Sequence, residues 1–231
     1  MVSQLLLASS SPRRRELLAL TGWSFSVQPV NIDETPYAGE DPQDYVRRLA
    51  ESKARAGGQF AQPGQLILAA DTTVAKGKQI LGKPVDKADA VQMLSGLRGV
   101  DHFVYTAFSV SDPHTGRLLT DLCAARVWMR AYSDQEMEAY IASGDPFDKA
   151  GGYAIQHPGF HPVERITGCY ACVVGLPVCH VVRVLAQFGL TPSADIAAAC
   201  PSQLGMETPC PDIEKRLRDL SQREAPDPRQ D

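Results

Sequence analysis

Short apolar runs alternate along this 231-residue chain with segments that open on a helix-capping residue, and no other feature narrows the fold as much. "SQLLLAS" reads as a short buried strand, followed by Ser11 and Pro12, a favoured N-cap and first-position pair, opening a helix to about Leu20. "SFSVQPVNIDE" alternates as a strand does, and Asp41 with Pro42 opens a second helix. "QLILAADTTVA" is an apolar strand that turns at "KGK" into "QILGKP", and Asp86 caps a third helix. "HFVYTAFSVSD" and "LLTDLCAARVWMRAYS" read as antiparallel strands around a "PHTG" turn. Ser133 with Glu136 forms a capping box for a helix that ends at Gly144. "DPFDKAGGYAIQ" reads as loop into strand, and "CYACVVGLPVCHVVRVLAQFG" as strand into helix. Strands alternating with helices, some joined as hairpins, predict an α/β fold: a twisted sheet of mixed antiparallel and parallel strands with flanking helices.

The length suits one domain, or one domain of two lobes around a central cleft. The pattern is placed on residues 1–190. From 191 to 231 six prolines interrupt the chain, and only Ile213, Leu217 and Leu220 keep helical spacing, so this stretch reads as a peripheral, partly ordered extension. A net charge of −4 removes general attraction for nucleic acid or anionic membrane. No apolar run approaches a membrane span, the N-terminus lacks a signal-peptide pattern, and six cysteines without an export signal read as reduced thiols. The expectation is a cytoplasmic protein.

Arg13 and Arg14 stand in the first turn of the Ser11 helix, with Arg15 behind them. A helix start already carries about half a positive charge, so each cation there costs roughly 0.3–1 kcal/mol. The Asp41 helix instead places Asp44 in its first turn, as the dipole prefers. Exposed N–H groups at a helix start form an anion site, and arginine adds bidentate geometry, so the Ser11–Arg14 end suits an anionic ligand. A solvated arginine cluster is the competing account. Neither G-x-x-x-x-G-K-[ST] nor G-x-G-x-x-G occurs.

Lys53 falls on the apolar stripe of Tyr45, Val46, Leu49 and Ala56, where a lysine either snorkels from the edge or lines a cleft. Asp71 stands where "LILAA" ends, a strand-end position that aims a carboxylate into a crevice; the alternative is a turn or capping role. Asp71 and Glu34 together suit a hard cation such as Mg²⁺, which takes one or two carboxylates and substrate phosphate oxygens. Cys169 and Cys172 have C-x-x-C spacing without a second pair, so buried cysteines in a valine-rich strand account for them better than zinc or redox chemistry. His102 reads as a hydrogen-bonded structural histidine.

The ordered set "LASSSPRRRELL", "IDE", "YVRRLAESKARA", "ADTTVA", "ILGKPVD", "HFVYTA", "DPFDKAGGYAIQ" and "VVGLPV" resembles the Maf family over roughly residues 4 to 189. The resemblance implies a nucleoside triphosphate pyrophosphatase with a cleft between two α/β lobes and a divalent metal, Mg²⁺ or Mn²⁺. Catalysis would cleave between the α- and β-phosphates. It further implies that Ser11, Arg13, Arg14, Lys53, Lys83 and Lys149 meet the triphosphate. Glu34 and Asp71 would hold the metal, and Asp71 would accept the proton of the attacking water. An ordinary aspartate is a feeble base at neutral pH, so that role needs a metal or a raised pKa.

Arg13, Thr72 and Gln156 match the family's specificity positions. "DTT" and Gln156 are similar to the dTTP/UTP branch, whereas the 7-methyl-GTP branch carries D-Q and a glutamate. The physics agrees, because an amide offers both donor and acceptor to the imide edge of uracil or thymine, and a carboxylate offers only acceptors. The chain departs from the family's usual A-Y-G-I-Q at Gly152 to Gln156, and from its Ser and Asn at Cys169 and Cys172. A second reading, from the family's association with septum formation, is a nucleotide-binding regulator of cell division acting through a partner. The extension beyond residue 190 leaves a homodimer open.

Overall fold

The computed structural model describes residues 4–203, and the predicted helical spacing of Ile213, Leu217 and Leu220 lies outside them. One seven-stranded sheet forms the frame. Its strands are β1 (Leu5–Leu7), β2 (Phe25–Val27), β3 (Leu66–Lys76), β4 (Gln79–Leu81), β5 (Asp101–Ser111), β6 (Leu118–Met129) and β7 (Val163–Gly168). They run in the order β2-β1-β3-β5-β6-β7, with β4 paired to β3. β1 is parallel to β2 and β3, and the remaining pairs are antiparallel. The mixed sheet and its flanking helices are those expected from the alternation of motifs.

Helices α1 (Pro12–Ala19), α2 (Pro42–Gly57), α3 (Lys87–Leu97) and α4 (Asp134–Ala142) each begin at the expected capping residue. Ser11, Asp41, Asp86 and Ser133 each accept a hydrogen bond from a first-turn backbone N–H, and Ser133 with Glu136 completes the capping box. α5 (Tyr170–Val174), α6 (Val178–Ala186) and α7 (Ile196–Gln203) follow β7. α2 lies across β3, β5 and β6 on one face of the sheet. One core, with Leu5, Leu7, Leu68, Phe108 and Val110, packs α1, α5 and α6 at one end of the sheet. A second, with Val74, Leu94, Val104, Met129 and Tyr140, packs α3 and α4 at the other. These two cores are the two lobes.

Residues just beyond 190 pack on the first lobe. Trp23 Nε1 donates to the Thr191 carbonyl at 2.7 Å, and Ile196 and Cys200 of α7 join its core.

Four local expectations change. "SFSVQPVNIDE" supplies a strand only over β2, since Pro29 has no N–H with which to continue a ladder. "DPFDKAGGYAIQ" forms two short 3₁₀ turns instead of leading into a strand, because Gly144, Gly151 and Gly152 all take positive φ. "CYACVV" is helical, not a strand: β7 stops at Gly168, and the chain coils through α5 to Gly175 at φ 125°. Asp71 lies within β3, not at its end, because β5 pairs with β3 from Ile67 to Ala75.

Gly151 brings the second lobe's loop onto β3, its N–H donating to the Gly82 carbonyl at 2.9 Å. Its φ is 70°, and an added Cβ would stand 3.0 Å from Val74 Cγ1. Gly151→Ala should therefore lower unfolding stability by about 1–3 kcal/mol, read as a reduced urea midpoint with an unchanged m-value.

Candidate active site

The site begins with an interruption in strand pairing. One edge of β3 is held continuously by β5. The other edge is shared: β1 pairs with Leu66 to Leu68, and β4 pairs with Val74 to Lys76. Residues 69–73 face no strand on that edge. A cavity of about 810 Å³ opens there, between the lobes. Because it meets the strand edge-on, it is lined by Asp71, Thr72 and Thr73 alike, although neighbouring strand residues point to opposite faces. A crevice where strand order reverses is the usual ligand site of open α/β sheets.

On the α2 face, Lys53 Nζ lies 2.7 Å from Asp71 Oδ1 and 2.6 Å from Glu34 Oε1. Of the two sequence accounts of Lys53, lining a cleft is the one the structure takes. Its side chain is 11% exposed, as is that of Asp71, while Glu34 is half exposed. Burial raises the Asp71 pKa above the ordinary aspartate value, although the charges of Lys53 and Arg14 and the Lys53 hydrogen bond oppose the rise. The second Asp71 oxygen, Oδ2, receives no hydrogen bond from the described residues. Tyr45 OH donates to the Glu34 carbonyl at 2.9 Å and so holds that loop, and burial pushes the Tyr45 phenol up to about 12.

The helix end Ser9 to Arg14 forms one wall. Its two arginines behave differently. Arg14 donates from Nε to the Gly175 carbonyl at 3.0 Å, from Nη1 to the Ala70 carbonyl at 2.8 Å, and from Nη2 to Thr72 Oγ1 at 3.0 Å. It thereby satisfies a carbonyl on the open edge of β3 and ties α1 to β3 and α5. Burial lowers its pKa, though a guanidinium still stays charged. Three of its five N–H groups are engaged, leaving two for a ligand. Arg13 lines the same cavity without an ion pair or side-chain hydrogen bond among the described residues. Lys83, after β4, is likewise unpaired and on the opposite lobe.

Lys149 reaches the cavity but is already neutralised, at 3.0 Å from Asp145 Oδ1 and 2.6 Å from Asp148 Oδ1. Thr72 Oγ1 is 2.9 Å from Thr106 Oγ1, which donates to the Cys172 carbonyl at 2.7 Å. Gln156 lines the far wall, beside Tyr170. The structure thus brings Ser11, Arg13, Arg14, Glu34, Lys53, Asp71, Thr72, Lys83, Lys149 and Gln156 to one cavity. His102 stays outside it: Nε2 pairs with Tyr153 OH at 2.7 Å, and burial lowers its pKa to about 4, so it is a neutral structural group.

Residues 4–188 match the family model described as "Maf-like protein". The chain belongs to the Maf family. It is 47% identical over 187 residues to a protein of Citrifermentans bemidjiense named "dTTP/UTP pyrophosphatase", covering 81% of this chain and 96% of the relative. Proteins of the same name from Myxococcus xanthus and Vibrio cholerae are 47% and 45% identical, covering 80% and 81% of this chain and 93% and 99% of theirs. The Maf match ends where α6 gives way to the chain leading to α7.

Two features of this Maf site were not read from sequence. Helical spacing places Tyr45 on the apolar stripe of α2, yet its hydroxyl holds the Glu34 loop; a phenol on an otherwise aliphatic stripe is the available signal. The Asp145 partnership of Lys149 could have been read from its i,i+4 spacing.

Removing the ammonium isolates its effect. Lys53→Met leaves two carboxylates facing each other, one of them buried, and loss of one partner of such a group costs about 3–5 kcal/mol. The Asp71 pKa then rises further, so the penalty is complete above that raised value. It fades as pH falls and Asp71 takes up a proton. Urea unfolding should show a wide gap between variant and wild type at pH 8 and a narrower one at pH 5.

Proposed function

We propose that this Maf protein hydrolyses dTTP and UTP to the monophosphate and pyrophosphate. The observation that carries this reading is a buried aspartate of raised proton affinity in the same cavity as two unpaired cations, Arg13 and Lys83, on opposite lobes. A triphosphate's roughly four negative charges suit cations offered from both sides, since phosphoryl chemistry depends on positioning and charge neutralisation. The names of the relatives agree with that substrate class.

Ser11 and the α1 N-terminus, with Arg13 and the two remaining Arg14 N–H groups, receive phosphate oxygens from one lobe. Lys83 receives them from the other, and Lys149 adds a neutralised, positioning cation. Asp71 accepts a proton at Oδ2 from a water. The water oxygen attacks the α-phosphorus, and the bond from that phosphorus to the β-phosphate oxygen breaks, releasing pyrophosphate. Lys53 holds Asp71 oriented, and the raised pKa makes its carboxylate a better base than an exposed aspartate.

Among the described residues no cluster of three or more histidine, cysteine or acidic side chains stands ready for a metal. Asp71 and Glu34, converging on one ammonium, supply two carboxylates, and that pair fits Mg²⁺ or Mn²⁺ when substrate phosphates complete the shell. Such an ion supplies charge neutralisation at the phosphates and acidifies a nearby water.

The deciding experiment incubates the protein with Mg²⁺ or Mn²⁺ and a panel of canonical and modified nucleoside triphosphates, separating pyrophosphate from single phosphate. Release of pyrophosphate led by dTTP and UTP, and lost on chelation, is the expected result. Absence of turnover with either metal overturns the reading and favours a nucleotide-responsive regulator. Asp71→Asn should lower kcat by about 10²–10⁴-fold while nucleotide affinity persists.

Base selection is assigned to Gln156, with Thr72 and Arg13, which line the same cavity. An amide can pair with both the carbonyl and the N–H of a pyrimidine imide edge. Gln156→Glu should lower kcat/KM for dTTP and UTP by about 10-fold to 100-fold, as expected when one hydrogen bond is replaced by opposed acceptors. A lead for 7-methyl-GTP in the unaltered protein would overturn this assignment.

A further inference from the structure

The cysteines are the chemistry-bearing residues that the nucleotide cavity leaves unused. Cys123, Cys169, Cys172, Cys179 and Cys200 are all buried, and none is in a disulfide. Three of them converge behind the cavity. Cys123 lies on β6 opposite Thr106 of β5. Gly168, the last residue of β7, pairs with Ala125, so the chain leaves the ladder with Cys169 beside Ala124, the neighbour of Cys123 on β6. One turn later Cys172 Sγ donates to the Cys123 carbonyl at 3.2 Å. The Cys123 thiol itself faces Cys169, Cys172 and the His180 ring.

His180 is in turn aligned by a carboxylate. Its Nδ1 lies 2.8 Å from Asp121 Oδ2, which Arg183 also engages. With Nδ1 so occupied, Nε2 is the nitrogen left for the thiol. Carboxylate, imidazole and thiol in line form the arrangement that activates a cysteine, and a plain core cysteine has no use for it. Burial draws the His180 imidazolium pKa down, but the hydrogen bond with Asp121 and the neighbouring thiols outweigh it and hold it at about 9. The Cys169 and Cys172 contacts, with His180, hold the Cys123 thiol below its ordinary value against the opposing effect of burial.

We propose that Cys123 is an oxidisable thiol and that Cys169 is its disulfide partner when hydrogen peroxide reaches the cluster. The Cys123 thiolate attacks one peroxide oxygen, the O–O bond breaks, and the departing hydroxide takes the His180 proton to leave as water. The resulting sulfenic acid is then attacked at sulfur by Cys169. The S–S bond forms, and the sulfenic oxygen leaves as a second water carrying the Cys169 proton. Two thiols and one peroxide give one disulfide and two waters. Cys123 is 5% exposed, so only an oxidant about the size of water is suited to reach it.

The bond would act on the nucleotide site through α5. Closing non-bonded sulfurs to about 2.0 Å pulls on the start of that short helix. Its other end carries the Gly175 carbonyl that accepts from Arg14, and the Cys172 carbonyl accepts from Thr106, which meets Thr72. Val173 and Val174 of the same helix line the cavity. Oxidation therefore shifts Arg14 and Thr72 together.

The test treats the full chain with hydrogen peroxide, blocks remaining thiols and maps tryptic fragments without reduction. The fragment from Leu118 to Arg126 contains only Cys123, and that from Ile166 to Arg183 contains Cys169, Cys172 and Cys179. The expected result is a cross-link between these fragments, assigned to Cys169 by fragmentation. It should form more slowly in His180→Gln and be absent in Cys169→Ala. Turnover should fall about tenfold or more on oxidation and return with dithiothreitol, since ångström displacements of positioning groups cost rate on that scale. No cross-link, a bond to Cys172 or Cys179 instead, or a bond that leaves turnover unchanged would each overturn the proposal. The mapping needs no substrate, so it stands apart from the nucleotide reading.

Discussion

The structure depends on β3 being paired along one edge and divided along the other. β5 holds the strand straight through nine residue pairs. The opposite edge is given to β1 at one end and β4 at the other, and the gap between them is where the cavity opens. An exposed stretch of strand edge presents backbone groups that need partners. Arg14 supplies one of them through the Ala70 carbonyl, which explains why a guanidinium is buried at a helix start that would otherwise repel it. The same guanidinium ties α1 to α5 as well as to β3, since Arg14 also reaches the Gly175 carbonyl.

Around this gap the charges divide into those that build the site and those left for a ligand. Lys53, Lys149 and Arg14 are held by carboxylates or carbonyls, and they fix the positions of Asp71, the 145–148 turn and Thr72. Arg13 and Lys83 face the cavity without protein partners among the described residues. This division is physically economical, because a site lined only by unpaired cations would repel itself in the ligand-free state. The burial that raises the Asp71 pKa comes from the same packing of α2 against β3 that aims Lys53 at it.

The two sheet faces serve different ends. Under α2 lie the carboxylates and the ammonium. On the other face, Thr72, Thr106 and the Cys172 carbonyl form a hydrogen-bonded line from the cavity to the thiol cluster. Adjacent residues of one strand, Asp71 and Thr72, thus serve both networks, and α5 is the element in which the cysteine chemistry and the cavity wall meet.

Much of the fold was legible in the sequence because its signals are local. Capping residues, proline at first helical positions and the period of apolar residues depend on neighbours a few positions away, and Ser11, Asp41, Asp86 and Ser133 all cap as read. The ordered motifs also marked the residues that line the cavity. Apart from "SFSVQPVNIDE", cut short at Pro29, the misread stretches are those where glycine at positive φ or a distant partner decided the conformation. Strand-like "CYACVV" coils because β7 ends at Gly168, and Asp71 is mid-strand because β5 extends past it. Sequence by itself determined where α1 to α4 begin, the mixed α/β class and the set of chemically active side chains. Only tertiary structure decided which cations remain unpaired, that Lys53 bridges Asp71 and Glu34, and that Cys123 meets Cys169, Cys172 and His180. Those facts rest on contacts between residues far apart along the chain, and no local pattern encodes such distances.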